Sequence, residues 1–132
     1  MKYFFPLFLL SGALLTTACD KEDPEPTLLG RWNAESTTGY NYSATGQFID
    51  QQTIEEKRFY LLVTIDSLRY RDIRDGSSWG SAVYTRQGNT IKYGNAEATI
   101  TELTDHSLTL RFKNVNKVPN TPYQEVADHY VR

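Results

Sequence analysis

Two Asp-His pairs, Asp105-His106 and Asp128-His129, have the residue types that metal binding or proton transfer would use. A zinc site needs three or four such ligands to converge on one point. The first pair lies in an apparent hairpin turn, where aspartate is a common residue and a histidine faces water. We therefore interpret these pairs as surface residues and expect neither a metal nor another cofactor.

Asp72 and Asp75 are two carboxylates whose spacing could imitate a glycosidase acid pair. They flank a turn at Asp75-Gly76, and this arrangement fits a solvated hairpin better than a catalytic cleft. The sequence contains no nucleophile elbow, no phosphate-binding loop and no cysteine–histidine pairing. Enzymatic activity is not expected.

Cys19 is the only cysteine among the 132 residues, so the chain cannot form an internal disulfide. An apolar run at residues 4–15 follows Lys2, and the small residues Thr-Thr-Ala at 16–18 come directly before the cysteine. The run is too short to span a bilayer of about 30 Å, and Pro6 interrupts it. This pattern is typical of a cleaved secretory signal.

Together these residues resemble the signal of a bacterial lipoprotein, in which the cysteine thiol receives a diacylglyceryl group and becomes the new N-terminus. The resemblance implies a signal peptide at residues 1–18, a lipidated Cys19 with its tether at residues 19–27, and a folded domain at residues 28–132. The alternative is an ordinary secretory signal followed by a free thiol.

The tether reads Asp-Lys-Glu-Asp-Pro-Glu-Pro-Thr at residues 20–27, a composition that favours an extended, solvated spacer. Its segment Lys21-Glu22-Asp23 resembles the signal that sends some lipoproteins of Gram-negative bacteria to the cell surface. We expect a lipid anchor in the outer membrane, facing either the cell surface or the periplasm. The formal net charge of −2 without a basic stripe argues against nucleic acid as a partner.

After the tether, apolar residues recur with period two, and no stretch of helical length shows a 3.6-residue pattern. Phe59, Leu61 and Val63 are one example, and turn residues separate such runs about every 8–12 positions. With the opening segment Leu28–Thr37 this gives about eight strands. We predict an all-β fold, a small antiparallel up-and-down barrel whose closure removes exposed sheet edges.

The segment Leu28–Trp32 contains Gly30-Arg31-Trp32, which resembles the short Gly-x-Trp signature of lipocalins and, with the strand meander, of bacterial lipocalin-like domains. The resemblance implies that Gly30 permits a close backbone approach and that Trp32 plugs one end of the barrel. It also implies a late basic residue resting on the tryptophan, for which Arg111 and Arg132 are the candidates. Alternatively, Trp32 simply fills the core of another β fold.

The segment from Thr38 to Glu56 lacks clean strand alternation and is predicted to be a long loop. In a lipocalin-like barrel such a loop would cover the open mouth, so its apolar side chains would form the ligand portal: Tyr40, Tyr42, Phe48 and Ile54. These side chains favour a small apolar ligand. The alternative is a filled barrel that recognises an envelope protein, a protease or a glycan.

Strand periodicity alone does not decide whether Ser67 is modified or whether the strand tyrosines point into the barrel. Asp66-Ser67-Leu68 resembles a short motif for O-glycosylation at Ser67, although the same residues would also suit a turn. The strand tyrosines, among them Tyr70 and Tyr93, point inward or outward according to a one-residue register. Their direction decides whether the barrel is hollow or filled.

Overall fold

The computed structural model describes residues 25–114 and 117–132, so the predicted signal peptide and the lipidation site at Cys19 lie outside the described residues. The described part is all-β, and no helix in it is long and apolar enough to cross a membrane. Its ten strands are β1 Gly30–Tyr42, β2 Phe48–Glu55, β3 Phe59–Val63, β4 Ser67–Asp72, β5 Ser78–Val83, β6 Thr85–Gln87, β7 Thr90–Tyr93, β8 Ala96–Leu103, β9 Ser107–Phe112 and β10 Tyr123–Val131.

All strand pairs are antiparallel, and they form one sheet in the order β5-β4-β3-β1-β10-β9-β8-β7-β6. The sheet curls so that its end strands, β5 and β6, follow one another in the chain with Tyr84 between them. Tyr84 donates from its hydroxyl to the carbonyl of Thr64 at 2.8 Å and packs against the core. The predicted antiparallel barrel is thus confirmed as nearly closed, with ten strands where about eight were expected.

A β-bulge at Glu35 divides β1 into two halves that pair with different strands. Ala34 pairs with Tyr130 and Ser36 with His129, so Glu35 is the additional residue. Before the bulge, β1 pairs with β3, and after it with β2. The Glu35 carbonyl accepts a hydrogen bond from the Glu56 amide at 2.9 Å, which anchors the bulge where the partner strand changes.

The segment predicted as a loop at residues 38–56 is instead a β-hairpin, and this prediction was wrong. Strand β1 runs to Tyr42, the turn at residues 43–47 follows, and β2 pairs back onto β1 from Phe48 to Glu55. Every residue of β2 is exposed, so neither of its faces requires the alternating apolar residues by which a half-buried strand is recognised.

Trp32 closes the end of the barrel at which β1 begins. Its side chain is 0% exposed, and its indole N–H donates to the carbonyl of Leu28 at 2.8 Å, so burial leaves no polar atom unsatisfied. Leu61, Val63, Leu68 and Leu108 are also fully or almost fully buried in the same core. This end of the barrel is filled.

Arg132, and not Arg111, lies on the tryptophan. The guanidinium carbon is 4.0 Å from the centroid of the Trp32 ring, within the range of a cation–π interaction. Trp32 and Arg132 flank the paired residues Asn33 and Val131, which places their side chains on the same face. The guanidinium also donates to three backbone carbonyls, those of Asp105 at 2.8 Å, Leu29 at 3.0 Å and Thr27 at 3.2 Å.

We predict that Arg132→Ala lowers the free energy of unfolding by about 2 kcal/mol, because it removes the cation–π contact and three hydrogen bonds to two segments of the closed end. Urea unfolding measures this loss. Arg86→Ala is the matched control, since the Arg86 guanidinium donates to the carbonyl of Gly88 within an exposed turn. Equal losses in the two variants would contradict the assigned role of Arg132.

Candidate ligand-binding site at the open end of the barrel

Aromatic side chains line the end of the barrel opposite Trp32. Phe59 begins β3, and its ring lies 5.9 Å from that of Tyr70 and 6.2 Å from that of Tyr130. Across the barrel, Tyr93 and Phe112 meet edge to face at 6.4 Å. All but Tyr130 are half-buried, whereas the residues around Trp32 are fully buried. We name Phe59, Tyr70, Tyr93 and Phe112, with Tyr130 beneath them, the aromatic cup.

Asp128 is the carboxylate of this open end. It pairs with Thr37 on β1 and with Leu110 on β9, on the inward face that also carries Tyr130. The Thr37 hydroxyl donates to its Oδ1 at 2.8 Å, and the Tyr130 hydroxyl lies 3.4 Å from its Oδ2. Burial raises the pKa of this carboxyl above its ordinary value, and the nearby charge of Glu56 adds to the effect.

The carboxyl of Asp128 affects the tyrosines of the cup. Its charge contributes to the raised pKa of Tyr70, Tyr93 and Tyr130, and of these only the Tyr130 hydroxyl lies within reach of it, at 3.4 Å. Burial is the main cause that raises the pKa of each of these phenols, so they remain neutral donors at physiological pH. The cup therefore combines apolar ring faces with hydroxyl groups around one carboxyl.

A hollow of about 530 Å³ lies beside the cup. Trp79 forms one wall, is 48% exposed, and contacts Phe59 with its ring at 5.4 Å. The other lining residues lie before β3 and in the turn after β4: Lys57, Arg58, Asp72, Ile73 and Arg74. Phe59 touches both Trp79 and Tyr70, so its ring connects the wall of the hollow to the aromatic cup.

The basic residues of the rim are paired with carboxylates. Arg58 makes a two-point contact with Glu56 at 2.8 and 2.6 Å, and Arg74 contacts Asp72 in the same way at 3.0 and 2.8 Å. The hydrogen bond from Arg58 lowers the pKa of Glu56, and that from Arg74 lowers the pKa of Asp72 to about 2. Both carboxylates are therefore ionised at neutral pH.

The predicted portal residues do not lie together at the mouth. The bulge at Glu35 places Tyr40, Tyr42 and Phe48 on the outer face of the sheet, while Ile54 lies on the inner face. Tyr42 stacks on Tyr123 at 5.0 Å and meets Phe48 edge to face at 6.0 Å. The prediction that Tyr40, Tyr42 and Phe48 gate the mouth is corrected by this register.

Arg111, predicted to rest on Trp32, belongs to that outer face. Its guanidinium carbon lies 4.3 Å from the centroid of the Tyr40 ring, and it donates to the Tyr42 hydroxyl and to Glu125. Arg111 pairs with Ala127 on β10, on the face opposite Tyr130 and Arg132. Strand alternation therefore prevents it from reaching the closed end from inside.

The Asp-His pairs do not converge. Asp128 faces the lumen, whereas the next residue, His129, faces outward and hydrogen-bonds with Thr38 and Thr109 at 3.0 Å each. His106 is exposed in the turn between β8 and β9. Among residues 25–114 and 117–132, no three His, Cys, Asp or Glu side chains come together to hold a metal ion.

Ser67 begins β4 and is 9% exposed. Its hydroxyl is 2.7 Å from that of Thr64 and accepts a hydrogen bond from Arg69 at 3.2 Å. A glycan on Ser67 would disrupt these contacts, so modification would have to precede the formation of this turn.

Sequence reasoning missed Asp128 as a site residue. The signal was the alternation at the end of the chain, where Val126, Asp128 and Tyr130 share one face. With Tyr130 assigned to the core, Asp128 follows as a carboxyl inside the barrel. Phe59 was recognised as a strand residue, but its contact with Trp79 across β3, β4 and β5 depends on register.

No family model matches the chain, and no curated protein matches it in sequence. Two solved structures are similar in fold. One is a lipocalin-like protein from Bacteroides uniformis, with 12% identity, a TM-score of 0.47, and coverage of 80% of this chain and 97% of that chain. The other is an uncharacterized protein from Bacteroides eggerthii, with 10% identity, a TM-score of 0.44, and coverage of 79% and 99%.

The lowered pKa of Asp72 predicts how stability depends on pH. Since the folded pKa is about 2 and the ordinary value is 3.8, the contact with Arg74 stabilises the fold fully above about pH 4. This stabilisation is lost as the pH falls towards 2. Asp72→Asn lacks it, so the difference in unfolding free energy between wild type and variant should shrink across this interval. A difference that stays constant from pH 5 to pH 2 would contradict the assignment.

Proposed function

We propose that this chain is a lipid-anchored, lipocalin-like protein of the bacterial envelope that binds a small apolar molecule at the open end of its barrel. The observation that supports this most directly is the contact between Trp79, which forms a wall of the hollow of about 530 Å³, and Phe59 of the aromatic cup. The volume of the hollow is typical of ligand pockets, and Trp79 and Ile73 are its apolar walls among four charged residues.

The contrast between the two ends of the barrel indicates where the ligand lies. Trp32, Leu61 and Leu68 are 0% exposed and fill the lower lumen, so a ligand could enter there only by displacing packed core residues. Phe59, Tyr93 and Phe112 keep part of their ring surface accessible at the other end. We therefore infer a shallow site, in which the ligand rests on the cup and against Trp79.

Burial of apolar surface would supply the main binding energy at such a site, at about 25 cal/mol per Å². Trp79 and Ile73, which are 48% and 41% exposed, are the apolar surfaces of the hollow that a ligand would cover. No described residue of the cup is a strong nucleophile placed beside a base, and we infer binding without chemical conversion.

We predict that Trp79→Ala weakens binding of an apolar probe about fivefold, since one aromatic contact contributes roughly 1 kcal/mol. Native mass spectrometry of the purified chain identifies any co-purified small molecule, and quenching of tryptophan fluorescence by a fatty acid measures affinity in the wild type. Because the variant lacks the reporting indole, its affinity is measured by calorimetry.

Val83→Ala is the matched control for this variant, because Val83 is a 74% exposed apolar residue of the same strand, β5. It should bind as the wild type does. A clean apo mass together with the absence of quenching by every apolar probe would exclude the proposed site.

Envelope anchoring is proposed from the residues before the barrel. When the whole chain is expressed in a Gram-negative host, Cys19 should incorporate labelled palmitate, and the chain should fractionate with the outer membrane. Cys19→Ser should lose the label while its barrel still folds. Unlabelled wild-type protein in the periplasm would instead indicate an ordinary secretory signal.

A second candidate function is recognition of an envelope protein by the outer face. Tyr42, Phe48 and Tyr123 form a ring cluster there, Phe48 is 54% exposed, and Arg111 lies beside them. Aromatic residues and arginine are enriched at the centres of protein interfaces. Recognition of a protein by the outer face would not require the open end of the barrel. Trp79→Ala should therefore weaken binding of the apolar ligand but not binding of such a protein, which distinguishes the two functions.

A further inference from the structure

The carboxyl of Asp128 has hydrogen-bond donors but forms no ion pair with a described residue; the charge of His129, which faces outward, lowers its pKa without contacting it. Thr37 donates to one oxygen at 2.8 Å, and Tyr130 lies 3.4 Å from the other. None of the ion pairs found among residues 25–114 and 117–132 includes Asp128. A carboxylate removed from water is costly unless a positive charge or further donors compensate it. The hydroxyl donors compensate the carboxylate in part, and a cationic group of a ligand would add the rest.

The surroundings of this carboxyl favour a particular kind of cation. Aromatic rings present negative faces, which attract an ammonium group within about 6 Å of the ring centroid. Phe59 and Tyr70 form one side of the cup, and Tyr93 and Phe112 form the other. A set of aromatic rings around a carboxylate is the arrangement that binds substituted ammonium groups in aqueous solution.

We propose that the ligand of the open end carries an ammonium group, which lies against Asp128 within the aromatic cup while the apolar part of the ligand covers Trp79. This inference rests on the proposed function and specifies its ligand class, a cationic amphiphile or aromatic amine. Recognition combines the charge of one carboxylate with the faces of four rings.

The other charges near the cup agree with this polarity. The charge of Glu56 raises the pKa of Asp128 and that of His129 lowers it, but His129 faces outward, and the groups that contact the Asp128 oxygens are the neutral hydroxyls of Thr37 and Tyr130. Arg58 and Arg74 are neutralised by Glu56 and Asp72 through two-point contacts. Lys57 contacts Glu55 at 2.5 Å. The positive charges of the rim are thus engaged before a ligand arrives, and an anionic head group would meet no unpaired cation among them.

A purely structural role for Asp128 is the competing explanation. Its contact with Thr37 joins two partner residues of the neighbouring strands β10 and β1, and asparagine could accept the same hydrogen bond. Stability alone therefore does not separate the two roles. Selectivity for charge does, because only the ligand-binding role depends on the negative charge of the carboxylate.

The test compares three probes of similar shape by calorimetry on the purified chain: benzyltrimethylammonium, its neutral carbon isostere neopentylbenzene, and the anion phenylacetate. We expect the ammonium probe to bind the wild type most tightly. Asp128→Asn should weaken it about tenfold or more, in line with the loss of one charged contact, and should leave neopentylbenzene unchanged. Asp105→Asn, which removes a charge from an exposed turn at the closed end, is the matched control.

Tyr93→Leu serves as a second variant, because it removes one ring face without touching the link between Thr37 and Asp128. It should lower the preference for benzyltrimethylammonium over neopentylbenzene. If Asp128→Asn does not fold, this variant tests the ammonium site in its place. Equal binding of the cation and its isostere, or a preference for phenylacetate, would overturn the ammonium site and leave the apolar site intact. Failure of all three probes would overturn both proposals.

Discussion

The pairing of β1 with β10 is the interaction on which the rest of this structure depends. It joins the first strand to the last over nine residue pairs, from Asn33↔Val131 to Tyr42↔Tyr123, and so holds the two halves of the meander together. The bulge at Glu35 sets the direction of every side chain beyond it. Without that one residue, Thr37 would face outward and could not donate to Asp128, while Tyr40 and Tyr42 would face the lumen. One inserted residue therefore determines both the contact between Thr37 and Asp128 inside the barrel and the aromatic cluster on the outer face.

The Trp32–Arg132 contact gives the barrel its asymmetry. A large ring fills the closed end, and the guanidinium covers that ring while it satisfies three carbonyl groups of the neighbouring segments. Gly30 adopts a positive φ of 115°, which lets the chain enter β1 directly beneath the arginine. Because core packing is concentrated at this end, aromatic side chains at the other end can remain partly exposed without loss of the fold. The most densely packed core and the proposed binding site thus lie at opposite ends of the same lumen.

Period-two alternation predicted the strands that are half-buried, such as the one with Phe59, Leu61 and Val63, because one face of each meets the core. It failed for β2, whose residues are exposed on both faces and whose strand conformation is imposed by hydrogen bonds to β1. It also could not choose between Arg111 and Arg132, since the choice depends on which face of β9 and β10 meets the lumen. Barrel class follows from local pattern, whereas the positions of site residues follow from register, which a single bulge changes.

Asp128 shows how a residue of the proposed binding site can lower the stability of the fold that carries it. A leucine at this position would match Leu110, its partner on β9, and would extend the apolar core without the cost of a partly buried carboxyl. The chain instead places the hydroxyls of Thr37 and Tyr130 within reach of this group. These hydroxyls compensate the carboxyl in part without neutralising it, because neither carries a positive charge. A group kept in this state stabilises the empty barrel less than an apolar residue would, and it gains its full interaction only with a cation at the mouth.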